Sequence, residues 1–473
     1  MTNEDLAFSD VATLQKLLAR KALSSLELTE LALARLERYG PSYNAVITIM
    51  YDRARDEARR ADRERAAGRV RGPLHGIPYG VKDLLAAKGA PTTWGAQPYR
   101  DQRFDFDAAA VQRLQNAGAV LVAKLAMVEL AGGFGYNEAD ASFTGPGRTP
   151  WDRNYWSGGS SSGSAAAVAA GLVPFAIGSE TSGSILFPSA SCGVTGLRPT
   201  FGRVSRYGAM ALCWSLDKLG PLTRTARDAD TVLRAISGAD PNDPSAVDRP
   251  FPTTRRRPRI GILAKSTQKT MPAVKANFET SLRVLGTFCD LVPAVALPNF
   301  PYDAAVDTIV NAEGAAAFRE LIESGRAREL RSVDDRTGGY IAYATLAVDY
   351  IDALRQRTLM VEAFERAFGA YDAIASPTLP TVAYPIGPSF DKSYTAYPGV
   401  VSLISAGNLT GTPALSFPNG TGERDLPTGF ALLGRPWGEA VLGQIAARYQ
   451  SRTAFHTRRP PAALAPPPST RRR

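Results

Sequence analysis

Two loops rich in serine and glycine enclose an alanine-rich segment and a short apolar run in the first half of the chain. The loops are residues 157–164 and 178–184, and the segments between them are 165–171 and 173–177. The alanine run favours a helix, and the short apolar run favours a buried strand. Long loops held by such elements usually carry function. Both loops are therefore expected to lie at a functional site.

Helical and strand-like patterns also alternate over the rest of the chain. Leucines recur at helical spacing through residues 9–39 and predict two amphipathic helices, and Ser24 with Glu27 has the form of a capping box before the second. Residues 74–83 are a short, turn-rich segment. Further helices are expected at 51–67, 108–117, 272–285, most of 300–370 and 438–450, and further strands at 120–124, 260–263 and 373–375. Such alternation indicates an α/β architecture.

Histidine is scarce, which limits the chemistry available to the chain. The sequence contains only His75 and His456, and a Ser-His-Asp hydrolase needs one of them as its base. His456 stands just before an arginine- and proline-rich end, and His75 is expected to be a structural hydrogen-bonding residue. A zinc site needs three or four convergent ligands, and no Cys-x-x-Cys or His-Glu-x-x-His motif occurs. No metal and no cofactor are expected.

Cysteine content and hydropathy suggest where the protein resides. Its three cysteines are an odd, widely spaced set that suits reduced thiols better than a disulfide framework. The N-terminus lacks the basic start and apolar core of a signal peptide. No stretch reaches the roughly 18 uninterrupted apolar residues of a membrane span. We therefore expect a cytoplasmic protein without a membrane partner.

The net charge of +10 raises the question of nucleic acid. Much of the excess comes from arginines at 255–259 and 458–473, both in proline-rich sequence. No nucleic-acid-binding module accompanies them. The charge is therefore interpreted as solvated surface, and no nucleic-acid partner is expected.

Three interpretations of the serine-rich loops compete. A flexible linker is disfavoured because helices and strands flank the loops. A phosphate cradle at a helix N-terminus is disfavoured because no Gly-x-x-x-x-Gly-Lys-Ser/Thr motif is present. Nucleophilic catalysis fits Gly159-Ser160-Ser161-Ser162-Gly163, a Gly-x-Ser-x-Gly pattern, although the usual histidine base of that pattern is missing.

Several longer motifs resemble the amidase-signature hydrolases, in the order found in that family. The similarity covers about residues 8–450 and is weakest over 290–360. The matching stretches are Gly-Ile-Pro-Tyr-Gly-Val-Lys-Asp at 76–83, Gly-Gly-Ser-Ser at 158–161 with Ala-Ala-Ala-Val-Ala-Ala-Gly at 165–171, Gly-Ser-Ile at 183–185, Cys-Gly-Val-Thr-Gly-Leu-Arg-Pro-Thr at 192–200, Asn-Leu-Thr-Gly-Thr-Pro-Ala at 408–414, and Leu-Pro-Thr-Gly-Phe at 426–430.

The resemblance implies a fold and a domain organisation. A single large α/β/α catalytic domain with a central mixed sheet covered by helices is expected over residues 1–457. Residues 290–360 are expected to be a variable helical cap region. Residues 458–473 form an arginine- and proline-rich tail that is expected to be disordered.

The resemblance also implies a catalytic triad of Lys82 as base, Ser160 as bridging serine and Ser184 as nucleophile, with a cis peptide between Gly159 and Ser160. A serine hydroxyl is a weak nucleophile and needs a base. Because an ammonium group cannot accept a proton, Lys82 must be uncharged to start the reaction. Burial lowers the pKa of a lysine and makes this possible.

The second loop can also supply an oxyanion hole. Backbone N–H groups of Thr181, Ser182, Gly183 and Ser184 can point at one carbonyl oxygen, and each such donor is typically worth about 3 kcal/mol. Ser161 either supports the relay serine or caps the helix that follows.

The loop departs from the usual family pattern, Asp-x-Gly-Gly-Ser-Ile-Arg. Glu180 stands in place of the aspartate, Ser182 in place of a glycine and Leu186 in place of the arginine. Glu180 is expected to keep the carboxylate hydrogen bonds of the loop. An arginine at position 186 would serve an anionic substrate or structural ion pairs, so its loss favours neutral, partly apolar substrates.

Five apolar or aromatic residues near the motifs are candidate walls of a substrate pocket, although ordinary core packing is an equally good interpretation for each. They are Met127, Phe134, Tyr136, Leu186 and Phe187.

The predicted function is hydrolysis of the C–N bond of neutral aryl or alkyl amides through an acyl-Ser184 intermediate. Carbamates, including urethanes, and esters offer the same carbonyl geometry. The expected partner is a small-molecule substrate, with the protein a monomer or homodimer. One alternative is the family's amidotransferase A-type subunit, which acts on charged tRNA and needs partner subunits and an ammonia source. Another is a non-catalytic binding subunit with the same fold.

Overall fold

A mixed β-sheet runs through the part of the chain described by a computed structural model, residues 1–461. Its 11 strands are β1 (Val46–Ile49), β2 (Pro78–Lys82), β3 (Val120–Leu125), β4 (Phe175–Glu180), β5 (Thr195–Arg198), β6 (Lys218–Thr223), β7 (Arg259–Leu263), β8 (Asp290–Val295), β9 (Ala373–Pro377), β10 (Ala414–Thr421) and β11 (Pro427–Gly434). Their order is β1-β3-β2-β4-β6-β5-β10-β11-β9-β7-β8.

Helices flank this sheet and complete one α/β domain, as the sequence predicted. They are α1 (Asn3–Ala7), α2 (Val11–Ala19), α3 (Ser25–Tyr43), α4 (Tyr51–Ala66), α5 (Ala109–Asn116), α6 (Ser162–Ala169), α7 (Leu186–Cys192), α8 (Ala226–Ile236), α9 (Pro272–Gly286), α10 (Tyr302–Ala317), α11 (Arg319–Glu323), α12 (Val333–Ala342), α13 (Ala347–Phe368), α14 (Ile404–Leu409) and α15 (Glu439–Gln450).

The periodic helices agree closely with expectation. Helices α2 and α3 occupy the leucine-rich region, and α3 begins with the predicted capping box, in which Ser24 and Glu27 bond each other's backbone N–H. Helices α4, α5, α9 and α15 also lie where the sequence predicted them. Strong helical periodicity and local capping were therefore sufficient to predict these helices from the sequence.

Strands β2, β3 and β4 form the parallel part of the sheet that positions the site. Strand β2 pairs in parallel with β3 on one side and β4 on the other, and every residue of the three strands is buried. Such strands occur where both faces of a sheet are covered. Lys82 ends β2, and Ser179 is the penultimate residue of β4, so both lie at the carboxyl edge shared by the two strands.

Half of the turn-rich segment 74–83, residues 78–82, is this central strand, whereas residues 74–76 do form a turn. Pro78 is the first residue of β2, a position where a strand tolerates proline. Gly80 lies against Leu125 of β3, whose side chain would come within 2.5 Å of a Cβ at that position. Long-range packing thus made a strand of residues that individually favour turns.

The 290–360 region contains more than helices. Its first residues form β8, an edge strand of the sheet that accommodates Pro293. Helices α10 to α13 follow, which agrees with the helical pattern expected from residue 300 onward.

The alanine-rich helix α6 packs unusually close to its neighbours. All its residues are buried, and a Cβ on Gly163 would lie 2.4 Å from the Ala45 carbonyl oxygen and 2.5 Å from the Ala126 nitrogen. Small side chains therefore allow α6 to sit directly against the strands that carry the site.

The arginines at the end of the described chain contact its body. Arg458 donates to Thr421 Oγ1 at 3.3 Å, and Arg459 forms an ion pair with Asp5 at 2.9 Å. The remainder of the predicted tail, residues 462–473, lies outside the described residues. Among residues 1–461, no helix has the length and apolar character needed to cross a membrane.

Candidate active site

The three predicted triad residues come from three separate segments. Lys82 ends β2, Ser160 lies in the loop before α6, and Ser184 lies in the loop after β4. Helix α6 and strand β4 are consecutive in the chain, so the two serine loops meet at the same edge of the sheet. All three side chains are buried, with Ser184 the most exposed at 8%.

A continuous chain of hydrogen bonds joins these side chains. Lys82 Nζ lies 2.7 Å from Ser160 Oγ, and Ser160 Oγ lies 2.9 Å from Ser184 Oγ. Lys82 Nζ also donates to Ser179 Oγ at 2.9 Å. The peptide between Gly159 and Ser160 is cis, as the family resemblance implied.

Ser161 fixes the backbone of β4 and makes no helix-capping bond with its side chain. Its hydroxyl donates to the Ser179 carbonyl at 3.1 Å and accepts from the Ser179 N–H at 3.2 Å. Gly178 makes room for it, because a Cβ there would lie 2.8 Å from Ser161 Oγ. Ser161 thus holds Ser179, the second hydroxyl partner of Lys82.

The surroundings of Lys82 favour an uncharged amine. Burial lowers the pKa of Lys82 to about 7, against the opposing effect of the Asp217 and Glu180 carboxylates. Neither carboxylate bonds the amine directly, since its hydrogen-bond partners are the hydroxyls of Ser160 and Ser179. Hydroxyl groups stabilise an ammonium less than a contacting carboxylate does.

Glu180 anchors the loop that carries Ser184. Its carboxylate accepts from the N–H groups of Ile185 at 2.9 Å and Leu186 at 3.0 Å, and it forms a buried ion pair with Arg198 at 2.8 Å. Burial raises the pKa of Glu180, but Arg198 and the hydrogen bonds outweigh that effect and lower it overall. The expected carboxylate hydrogen bonds of this loop are therefore present.

The N–H groups expected to form an oxyanion hole are available. Within the described chain, the backbone N–H groups of Ser182, Gly183 and Ser184 donate to no protein acceptor. Thr181 is held by its side chain, which donates to Asp217 at 2.6 Å. Asp217 in turn accepts from the N–H groups of residues 212 and 213.

Sequence reasoning missed Ser179 and Asp217. Ser179 was visible as part of the second serine loop, although its contact with Lys82 depends on the parallel pairing of β2 and β4. Asp217 reaches the site because β6 lies antiparallel to β4 and aligns Lys218 with Glu180. Burial raises the pKa of the Asp217 carboxyl. No local pattern in the sequence indicates this long-range contact.

A cavity lies beside Ser179, the second hydroxyl partner of Lys82. Ser179, Thr181, Arg206 and Asp217 contribute polar groups to it, and residues 209–212 form part of its wall. The complete lining is Leu84, Ala131, Ser179, Thr181, Arg206, Ala209, Met210, Ala211, Leu212, Trp214, Asp217 and Leu219. Apolar side chains therefore predominate, beside a few polar groups.

The five candidate wall residues do not line this cavity. Met127 is fully buried in the main core, and Leu186 packs in a separate apolar cluster. Phe134 contacts Phe318 edge-on, with ring centroids 5.5 Å apart.

The remaining two candidates pack around one tryptophan. Tyr136 and Phe187 contact Trp156 edge-on at 6.0 and 5.3 Å between ring centroids. Trp156 and Tyr136 also lie against Gly159, the residue before the bridging serine. Tyr136 and Phe187 therefore lie beside the first serine loop.

Other polar residues near the motifs have structural partners. His75 is buried and its Nε2 lies 2.9 Å from the Ala61 carbonyl, while burial lowers its pKa. Asp83, next to Lys82, forms a buried ion pair with Lys124 at 2.7 Å. Residues 1–461 contain no cluster of three or more histidine, cysteine or acidic side chains suited to a metal ion.

A mixed sheet carrying a buried lysine and two bridged serines is characteristic of a serine hydrolase that uses no histidine. The chain belongs to the amidase-signature family, since the family model described as Amidase matches residues 27–442.

Relatives of two kinds resemble the chain. The glutamyl-tRNA(Gln) amidotransferase A subunit of Chloroflexus aurantiacus is 38% identical, over 95% of this chain and 98% of its own length. The X-ray structure of native peptide amidase from Stenotrophomonas maltophilia has a TM-score of 0.85 and 32% identity, covering 96% of this chain and 98% of that one. The crystal structure of the glutamyl-tRNA(Gln) amidotransferase A subunit from Thermotoga maritima has a TM-score of 0.78 and 29% identity, covering 95% of this chain and 96% of that one.

Proposed function

We propose that the chain hydrolyses the C–N bond of a carboxamide through an acyl-Ser184 intermediate. The observation that carries this proposal is the short, continuous contact path from Lys82 Nζ through Ser160 Oγ to Ser184 Oγ, at 2.7 and 2.9 Å. A base, a relay and a nucleophile within hydrogen-bond reach are the requirements of nucleophilic catalysis.

In the acylation step, Ser184 Oγ attacks the substrate carbonyl. Its proton passes to Ser160, whose own proton passes to the uncharged amine of Lys82. For this transfer the Ser184 hydroxyl must point its hydrogen at Ser160 Oγ, and the Ser160 hydroxyl must point its hydrogen at Lys82 Nζ. Rotation of the two hydroxyl groups achieves this along the existing contacts. Collapse of the tetrahedral intermediate breaks the C–N bond, and the same relay run backwards protonates the leaving amine.

Deacylation repeats the sequence with water. Lys82 takes a proton from water through Ser160, and the resulting hydroxide attacks the acyl ester on Ser184. When the tetrahedral intermediate collapses, the proton returns from Lys82 through Ser160 to Ser184 Oγ. The products are a carboxylic acid and the regenerated serine. The unpaired N–H groups at residues 182–184 are available to stabilise the oxyanion in both steps, each by about 3 kcal/mol.

Labelling with a fluorophosphonate tests the nucleophile. We expect one covalent adduct on Ser184, located by peptide mass spectrometry, and none on the Ser184→Ala variant. Ser451→Ala, which alters an exposed serine at the end of α15, is the matched control and should label normally. Adduct formation in Ser184→Ala would refute the assignment, and absence of labelling in the wild type would favour a non-catalytic binding subunit.

The triad variants should behave as a unit. Ser160→Ala and Lys82→Ala should each slow turnover by about 1,000-fold or more, and the double variant should be little slower than either alone. Additive losses, measured as kcat/KM, would mean that the two side chains act independently rather than through one relay.

Neutral, partly apolar amides are the proposed substrates of a free-standing enzyme. The mainly apolar cavity lining supports this choice. Carbamates, including urethanes, and esters present the same carbonyl to Ser184. The three cysteines are buried and form no disulfide, which supports the predicted cytoplasmic location.

A second candidate function is that of an amidotransferase subunit. The observation favouring it is the name of relatives 36–38% identical over nearly the whole chain, the A subunits of glutamyl-tRNA(Gln) amidotransferases, and these names support it better than a free-standing amidase. The acyl-Ser184 chemistry would be shared, with glutamine as the amide and its ammonia passed to charged tRNA. Partner subunits would then be required.

A substrate panel separates the two candidates. The purified chain alone is assayed with anilides, aliphatic amides, carbamates, esters and glutamine, and kcat/KM is compared. An amidase turns over neutral amides without a partner. Selective use of glutamine, with turnover raised by a co-purified protein and charged tRNA, would instead identify an amidotransferase subunit.

A further inference from the structure

Exposed apolar side chains concentrate in one part of the described chain, around helix α13. Val348, Ile351 and Leu359 on α13 are 68%, 54% and 54% exposed, and Ile341 and Leu346 just before it are 69% and 60% exposed. Contiguous exposed apolar patches on protein surfaces mark interaction sites. These residues lie in the segment where the family resemblance is weakest.

Helix α13 carries exposed apolar side chains on the side that faces away from its buried residues. Ala353, Met360 and Phe364 are buried against the body of the protein. At 100° per residue, Val348 and Leu359 lie on the opposite side, away from that buried face. Intramolecular packing explains only the inner face, because a surface helix normally has a polar outer face.

The charges on the outer face have a specific arrangement. Asp352 and Arg355 are both exposed there, with the acid nearer the N-terminus, and Glu362 and Arg366, which pair with each other at 3.9 Å, lie farther along the same side. Gln356 donates to Asp352 at 2.7 Å, whereas Arg355 has no hydrogen bond or ion pair within residues 1–461. A partner helix that runs antiparallel and carries the same two residues would match both charges.

A second copy of this chain meets that requirement. If two α13 helices pair antiparallel about a two-fold axis between residues 353 and 354, Asp352 of each copy faces Arg355 of the other. The same alignment sets Val348 of each copy opposite Leu359 of the other. An isologous contact of this kind must be self-complementary, and positions 348, 352, 355 and 359 meet that condition.

We propose that the outer face of α13 forms the interface of a homodimer. The interface consists of two reciprocal Asp352–Arg355 ion pairs within an apolar contact made by Val348, Ile351 and Leu359. The adjoining residues 341 and 346 extend the buried area toward the roughly 800 Å² per partner of a standard interface. This inference concerns assembly and holds for either proposed function.

Charge reversal at the interface tests the proposal on the full-length chain. The molar mass of wild type, Asp352→Arg, Arg355→Asp and the double variant is measured by sedimentation equilibrium across a wide range of protein concentration. Each single reversal replaces two attractive pairs by two repulsive ones, and should weaken the dimer by about 100-fold or more. The double variant restores both pairs and should dimerise like the wild type.

An equimolar mixture of the two single variants gives the sharpest result. Each variant alone should be monomeric, but the mixture should form a heterodimer with two attractive pairs. In that heterodimer the unchanged Arg355 of the first variant faces the unchanged Asp352 of the second, and the two introduced residues, which also carry opposite charges, face each other.

The outcomes that decide the proposal are distinct. Unchanged circular dichroism of the exposed-site variants confirms that they fold. A monomeric wild type, dimerisation of both single variants, or a mixture that stays monomeric would overturn the proposal. So would a stoichiometric complex in which an unrelated protein covers α13.

Discussion

Two buried lysines on neighbouring strands, Lys82 on β2 and Lys124 on β3, have very different surroundings. Both side chains are fully inaccessible to solvent. Lys124 forms an ion pair with Asp83 at 2.7 Å and also donates to Thr92 Oγ1 at 2.8 Å. Within residues 1–461, Lys82 donates only to the hydroxyls of Ser160 and Ser179.

The difference shows what turns a buried lysine into a base. Burial lowers the pKa of both amines overall, and at Lys124 Asp83 counters part of that effect by direct contact. At Lys82 the opposing carboxylates act only at a distance, and the pKa falls to about 7. A contacting carboxylate thus favours a structural lysine, and its absence favours an amine that can accept a proton at neutral pH.

Replacing each lysine by methionine should separate these roles. The largest expected effect is the loss of turnover in the Lys82→Met variant. Lys82→Met removes the base, and kcat/KM should fall by about 1,000-fold or more. Lys124→Met keeps the whole relay, so its folded fraction should retain turnover within about tenfold of wild type. Initial rates, normalised to folded protein by circular dichroism, provide the comparison. Equal losses in both variants would contradict this division of roles.

Stability should show the opposite order, with Lys124→Met destabilising the protein more than Lys82→Met. Lys124→Met leaves the buried Asp83 carboxylate without its ion-pair partner, and should lower the free energy of unfolding by about 3–5 kcal/mol. Urea denaturation at pH 7 measures this loss. A matched double variant, Lys124→Met with Asp83→Asn, should recover part of the stability because no unpaired charge remains. A fully stable Lys124→Met protein would contradict the structural role of the pair.

A smaller effect concerns the pH dependence of stability. A lysine in the unfolded chain has a pKa of about 10.4, whereas that of folded Lys82 is about 7. Between these values the unfolded state binds more protons, so the free energy of unfolding rises with pH. Wild type should therefore gain stability relative to Lys82→Met by up to about 1.4 kcal/mol per pH unit between about pH 7 and pH 9. Parallel stability curves for the two proteins would indicate that Lys82 has the same pKa folded and unfolded.

Much of the fold was predictable because its signals are local or occur in long motifs. The capping box at Ser24 and the leucine spacing of α2 and α3 are readable within a few residues. Alternating helical and strand-like patterns indicated the α/β class, and the longer motifs, including both serine loops, indicated the family. The central strand β2 was not predicted because Pro78 and Gly80 favour turns, and only pairing with β3 and β4 makes them a strand.

The residues of the candidate site also differ in whether the sequence alone could predict them. Lys82, Ser160 and Ser184 lie in recognisable motifs, so their proximity could be expected from the resemblance. Asp217 could not, because its bond to Thr181 depends on the pairing of β6 with β4. Leu186, a candidate wall residue, packs in an apolar cluster next to the loop that Glu180 anchors, and it is not among the residues that line the cavity.

The pH dependence of Ser184 acylation tests the central claim most directly. The pseudo-first-order rate of labelling by a fluorophosphonate is measured from pH 5 to pH 10, where the reagent itself does not titrate. If uncharged Lys82 draws the proton from Ser184 through Ser160, the rate should rise about tenfold per pH unit below a single pKa near 7 and be level above it. A rate that is independent of pH, or that keeps rising to pH 10 as for an ordinary lysine, would contradict the account.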